Sequence, residues 1–514
     1  MNMTKRILAV LLTGAMLLGL TACGGGGEKI GNSTTDIEIS YWNSGLDEDW
    51  LKNMVAAFEA KYPEYNVEYT ATASDTAASS SFGLEDVDTV DLYLTVKLFD
   101  HSEMEPLNDI LDAVAPGDTK PLKEKFNQLY LELEKARDGN YYGLTYGGGV
   151  LSLVYNKQMF EEVGIKQTPR TTDELAAVCD KLARGGKVPL AHFKDGGYWS
   201  FIGELWFAQA DGLDYYLNNF YACTDEKGVS PSIDVMLADD GRHKVLKAYE
   251  KLITPDYVMA GSNSNDHVTV QTQFLNGGAA MMVNGSWLSN EMESVGTVDN
   301  FGMMRMPVIS SITDRLETVK TDSALRRVIS AIDSITDGEK TEADYKSGDN
   351  YVVDGTTVSA ADWEILVEAR RSVATNFAGE VGYIPTYSNA KDGAKKFLQF
   401  MYSDEGYKIY TDTLNMVLPL SFCDADVDAS TWNSYEATQY QLLKEATAHI
   451  SRYNSGQHAI FTDGGASTFP VSYSFLPKMC SKNSDDRKSA DEVWADVMAF
   501  TKDNFENTWL ANIK

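Results

Sequence analysis

The chain has 514 residues, with 44 Lys and Arg against 75 Asp and Glu and a formal net charge of -31 at pH 7. A chain this acidic repels phosphate backbones and anionic headgroups, whose binding rests on clustered Lys and Arg, so no nucleic-acid partner is expected. The length suggests two or three domains, and 43 % hydrophobic with 11 % aromatic residues is ample for sizeable cores, which argues against wholesale disorder.

Residues 1–22 read as an export signal: Lys5 and Arg6 form a basic start, and Ile7 to Leu20 is a mostly apolar run of 14 residues. As a helix that run would span about 21 Å, short of the roughly 30 Å hydrocarbon core, so cleavage is expected. It ends in Leu20, Thr21, Ala22 and Cys23, which resembles the lipobox of bacterial lipoproteins and implies lipidation (palmitate among the acyl chains) at Cys23. An ordinary signal peptide with a chance cysteine is the alternative. Two acyl chains hold a protein on a membrane durably, and residues 23–35, with glycines at 24–27, read as a flexible tether. Loss of Lys5 and Arg6 takes the charge from -31 to -33. No later stretch approaches 18 consecutive apolar residues, so nothing else is expected to span a bilayer. The expected location is the extracellular face of a cell membrane, in a Gram-positive bacterium.

Cys179, Cys223, Cys423 and Cys480 are scattered without a CxxC, which leaves open two disulfides in three connectivities or four free thiols. The six histidines show no HExxH or paired-ligand spacing, and neither metal nor cofactor is expected. Asp424, Asp426 and Asp428 imitate the start of a calcium loop, but Ala429 stands at its glycine position and Tyr435 at its terminal glutamate position, which argues against an EF-hand and leaves weak surface calcium binding open.

In chain order, Ile37 to Trp42 alternates like a strand, and Asp47 to Lys61 predicts a helix with Trp50, Leu51, Met54, Val55 and Phe58 on one face, stopped by Pro63. Asn66 to Ala73 and Val90 to Val96 read as further strands, giving a βαβ opening with a parallel sheet. Pro121 to Arg137 predicts one helix. Tyr141 to Tyr155 is extended and broken by Gly147, Gly148 and Gly149, a strand crossing between lobes. Thr171 and Glu174 form a capping box for a helix to Arg184 that buries Leu175, Val178, Cys179 and Leu182. More helix is predicted at Gly241 to Ile253, Ala390 to Leu414, Trp432 to Tyr453 and Ala490 to Ala511, with Asp344 to Gly355 as a surface loop.

Several segments in order resemble the extracellular solute-binding proteins of bacterial ABC sugar importers, the broad family that includes maltose-binding protein. They are YWNSG with FEAKYPEYNVEY, VDLYLT with MEPLNDIL, LSLVYNKQMFEEVGIKQTPRTTDEL, FLNGGAAMMVNGSW and GAKKFLQFMYSDEGYKIY. The chain departs at Thr172, where the family commonly has Trp, and in the long 313–377 segment, which looks like an insertion of uncertain lobe. The resemblance implies an α/β, two-lobed periplasmic-binding-protein-like (type II) fold, with hinge-linked lobes and an interlobe ligand cleft. Lobe one would hold residues 36–146 and 381–417, and lobe two residues 150–309 and 421–514.

Sugars present apolar faces and a rim of hydroxyls, so their sites combine flat aromatics with fixed polar groups. By the resemblance, Trp287, after Asn284, Gly285 and Ser286, stacks on a sugar ring, and Trp42 and Asn43 face the cleft; a core Trp and an ordinary turn former are the alternatives. Lys97 follows a strand and could bond a hydroxyl or acid group, or stand solvated. Asp91 is expected to cap backbone. Trp199, after Gly196 and Gly197, is the cleft candidate of the Trp199 and Trp206 pair; Tyr146 and Tyr383 flank the crossings, and Tyr473 comes from the unmatched C-terminal region. The cleft itself is expected to be aromatic and nearly free of charge.

The resulting expectation is a lipid-anchored, monomeric receptor that captures a carbohydrate, an oligosaccharide above all, and delivers it to the permease subunits of an ABC importer by hinge closure. It does no chemistry. The alternatives are a surface glycoside hydrolase or lyase, since 75 acids always allow a carboxylate pair, and an adhesin without a small ligand.

Overall fold

A computed structural model describes residues 33–513 apart from 44, 85–88, 225–230, 378, 419–426, 452–457 and 470–474. Cys23, Cys423, Tyr473, Asp424 and Asp426 therefore lie outside the described residues, and Asp428 accepts from Ser430 N at 3.0 Å. Strand Asp36–Trp42 pairs parallel with Asn66–Thr72 on one side and Leu92–Val96 on the other. Helix Asp49–Lys61 joins the first two and buries Trp50, Leu51, Met54, Val55 and Phe58, the face given by the apolar spacing. Glu380–Tyr383 and Gly143–Thr145 run antiparallel and complete a five-stranded sheet. Asp91 accepts from Glu38 N and Ala390 N, a backbone-tying role as expected.

The second sheet is six-stranded. Val150–Asn156 lies between Ser372–Thr375 and Met281–Gly285 and also pairs with Phe301–Met303; Ala448–Ile450 and Leu190–Ala191 form the edges. The chain thus leaves the first sheet at Thr145 and enters the second at Val150, and it returns between Thr375 and Glu380. The two passages bind each other: Gly149 N donates to Asn376 Oδ1 at 2.8 Å, and Asn376 N to Gly149 O at 3.1 Å. Gly148 has φ +112°, which favours glycine, and a Cβ on Gly147 would run into the end of the Glu380 side chain and force it to shift.

Several predicted helices divide, each for a local reason. Pro121 to Arg137 becomes Leu122–Lys125 and Gln128–Glu134, because Phe126 turns extended to pack on Tyr402. Ala390 to Leu414 breaks into Lys391–Met401 and Asp404–Leu414, where Ser403 Oγ caps the second helix by accepting from Gly406 N at 3.2 Å. Trp432 to Tyr453 yields helix Ser434–Glu445, after which Ala448–Ile450 pairs with the sheet edge at Ser372–Thr375. The Thr171 box is half formed: Thr171 Oγ1 accepts from Glu174 N, but the Glu174 carboxylate takes Arg170 N instead. Asp344 to Gly355 is no loop. Asn350–Val353 and Thr356–Ser359 form a hairpin turned by Asp354 and Gly355, both at positive φ, and Tyr351 stacks on Trp363 at 4.2 Å.

The C-terminal region packs on the second sheet's side. Arg242 lies fully buried in an ion pair with Asp239, between the rings of Phe220 and Trp494, and donates to Thr468 O at 2.8 Å. Cys179, Cys223 and Cys480 are buried free thiols, so no disulfide joins any of them. Burial pushes the Cys223 thiol up to about 11, which leaves it inert.

Between the halves, His449 Nδ1 meets the Tyr130 hydroxyl, and burial pulls the His449 imidazole down to about 4. A base lowered on folding binds more protons when unfolded. Its contribution is complete above the unfolded value of 6.5 and is lost as the pH falls toward 4. Between pH 7 and 4 the native chain is expected to lose about 2 kcal/mol more stability than H449N, after discounting for the ring's partial exposure; urea unfolding at both pH values measures the difference.

Candidate functional site

The three parallel strands of the first sheet end at one place, and Trp42, Ala73 and Val96 mark those ends. There they face a cleft of about 850 Å³ whose opposite wall comes from the second half of the molecule. Ligand crevices sit at such carboxyl ends in α/β folds, because the loops that follow the strands converge there. The crossing residues Asn376, Gly379 and Glu380 line the cleft as well.

The opposite wall is built on two helix starts. Strand Met281–Gly285 leads into Ser286, whose Oγ accepts from Val150 N at 3.1 Å, and then into Trp287 at the head of helix Leu288–Glu291. The Trp287 ring folds back over Gly285, where a Cβ would collide with it. It meets Tyr198 edge-on at 5.3 Å, and Tyr198 in turn meets Phe193 at 5.1 Å. Trp287, Tyr198, Phe193 and Phe201 thus form an aromatic wall opposite Trp42.

Of the residues named from sequence, Trp42, Asn43 and Trp287 line this cleft. The others do not. Lys97 is turned inward, with Nζ donating to Glu134 Oε2 at 3.0 Å and Leu133 O at 2.7 Å, so its charge is consumed in the fold. Tyr146 is buried and donates its hydroxyl to Trp42 O at 2.9 Å. Tyr383 accepts from Leu98 N at 2.8 Å. Asn284 is buried in its strand, with Oδ1 accepting from Gly285 N.

Trp199 is a core residue. It is 1 % exposed and packs against Trp206 and Tyr249, whose hydroxyl donates to Trp199 O. Its neighbour Tyr198 takes the cleft position, because one residue is a 100° turn of the helix that starts at Trp199. The Gly196 and Gly197 pair did point to this stretch; nothing in the sequence separated the two adjacent rings.

The cleft is not nearly charge-free. Asp47, Asp75, Glu291, Glu293 and Glu380 line it, and no Lys or Arg is found among the described lining residues. Burial pushes the Glu291 carboxyl above the ordinary range, opposed by the Gln271 amide, which donates to Oε2 at 2.8 Å, and by His267, whose Nε2 lies 3.6 Å from Oε1. Gly45, at φ +85°, lies on the opposite wall, where a Cβ would come up against the Glu291 side chain. No group of three or more His, Cys, Asp or Glu side chains able to hold a metal ion occurs among the described residues.

The sequence profile of the bacterial extracellular solute-binding proteins matches residues 44–319, more than half of the chain. The chain belongs to this family. A putative binding protein of Brucella abortus (strain 2308) is 27 % identical over 209 residues, 38 % of this chain and 47 % of that protein. The maltotriose-binding protein of Pyrococcus abyssi (strain GE5 / Orsay) is 27 % identical over 210 residues, 40 % of this chain and 38 % of that protein. The chain spans about half the length, or less, of these curated relatives.

Among solved structures, a chitin oligosaccharide binding protein superposes with a TM-score of 0.59 at 16 % identity, covering 92 % of this chain and 99 % of that one. Maltose-bound MalE3 of T. maritima gives 0.58 at 16 %, covering 91 % and 99 %. The fold of this solute-binding protein is therefore the two-lobed α/β architecture. Alanine at Gly285 is expected to displace the Trp287 ring, costing about 1–3 kcal/mol of stability and shifting tryptophan emission to longer wavelength; thermal unfolding and fluorescence of the G285A variant read both.

Proposed function

We propose that this solute-binding protein captures an oligosaccharide between its lobes and delivers it to the permease of an ABC importer, with Cys23 as the lipid anchor and the monomer as the working unit. The observation that carries the reading is the cleft itself: Trp42 on one wall, Trp287 and Tyr198 on the other, and amide and carboxylate groups between them. Flat rings suit the apolar faces of sugars, and acceptor-only carboxylates suit hydroxyl donors. Maltotriose and chitin oligosaccharides, named for the relatives, are the first ligands to try.

Lobe one comprises residues 36–146 and 381–417, and lobe two residues 150–309 and 421–514. The 313–377 segment belongs with lobe two, a placement supported by strand Ser372–Thr375 in the second sheet and by the bonds of Arg370 to Asp333 and Met306 O. Ligand that touches both walls favours the closed arrangement by its differential affinity for it. No bond is made or broken in the cleft. Incubation with oligosaccharides is expected to return them intact, and chromatography that finds cleaved product would favour a hydrolase instead.

Titration with maltotriose, chitin oligosaccharides, mannobiose and xylo-oligosaccharides is expected to change tryptophan fluorescence and reduce the radius of gyration for at least one of them. W287A should weaken that ligand by about 10- to 100-fold, the loss of one stacked ring. Silence across the whole panel in both measurements would remove the support for carbohydrate capture. Replacing Cys23 by Ser should release the protein from membranes into the medium.

A further inference from the structure

Resting on the carbohydrate reading, we propose that the cleft sorts saccharides by charge. It takes neutral and amine-bearing chains and rejects those that carry carboxylate, sulfate or phosphate. Asp47, Asp75 and Glu293 are exposed at the cleft, Glu291 is largely buried beside them, and Glu380 lies buried at the crossing. An anionic ligand would enter a concave space walled by like charge, where the field is focused and water is partly excluded.

No compensating cation is at hand among the described lining residues. The lysine nearest in sequence to the rim residue Val96 is Lys97, and its ammonium is held in a buried pair with Glu134, neither of which lines the cleft. His267 is the basic side chain of the lining, and it already faces Glu291. Glu291 is held in place by Gln271, whose amide donates to one of its oxygens.

Neutral saccharides meet these groups on favourable terms. Every hydroxyl can donate to a carboxylate, which needs donors, and the rings lie on Trp42, Trp287 and Tyr198. A protonated amine gains further, from the carboxylates and from the aromatic faces together.

The test uses the mature protein and pairs of probes: maltotriose, mannotriose and triacetylchitotriose, each beside a copy bearing one sulfate ester, with chitotriose as the free amine. Calorimetry is expected to show that each neutral chain that binds loses at least about tenfold in affinity on sulfation. That penalty should shrink in 0.5 M salt, and in E293Q and D75N. If chitotriose binds at all, its affinity should fall as salt rises. A sulfated chain that binds as well as its neutral partner overturns charge sorting, and so does a penalty that neither salt nor the amide variants reduce, which marks a steric cause. Failure of every chain to bind, charged or neutral, counts against the carbohydrate reading itself.

Discussion

Two backbone passages, 145–150 and 375–380, run side by side between the sheets, and the cleft depends on how closely they approach. Gly149 and Asn376 exchange bonds through backbone and side chain, while Gly147 leaves room for the Glu380 carboxylate. A side chain at 147 would meet Glu380 of the other passage, and one at 149 would collide with Ser286. Because Asn376, Gly379 and Glu380 also line the cleft, a segment that joins the two sheets is part of the cleft surface. Under the proposed hinge closure, occupancy of the cleft and the angle between the lobes would be coupled by shared residues rather than through a long relay.

Hinge motion is useful only if each half moves as a body, and the second half is locked by large buried groups. Trp199, Trp206 and Tyr249 interlock, with Trp206 Nε1 donating to Pro307 O at 2.8 Å. Arg242 is paired, hydrogen-bonded and sandwiched by rings, which answers the cost of burying its charge and pins the C-terminal helix Ala490–Asn504 to the same body. Asp362 serves the inserted segment in the same way. Burial works to raise its carboxyl, but donors from Glu317, Thr318 and Val319 outweigh that and hold it below the ordinary range.

Much of this was legible beforehand, and the reason is periodicity. The helix face of Trp50 to Phe58, the parallel opening, the glycine crossing and the burial of Cys179 each follow from spacing that one element carries by itself. Helix ends were less legible. Ser403 and Phe126 read as interior positions, yet a cap and a core contact turn the chain there. The Asp354 and Gly355 hairpin was marked in the sequence by its turn residues and passed for a loop because the flanking strands are short, four residues each, in a polar stretch.

The site divides in the same way. Sequence alone determined the family's order of segments, the acidity of the chain and the stretches that reach the cleft, because these depend on residues close together along the chain. Which ring of Tyr198 and Trp199 faces the cleft, that Lys97 is spent on Glu134, and that five carboxylates converge in one cavity were decided only by tertiary structure. Each of those facts is a meeting of side chains from distant segments, and no local pattern encodes the angle at which two elements pack.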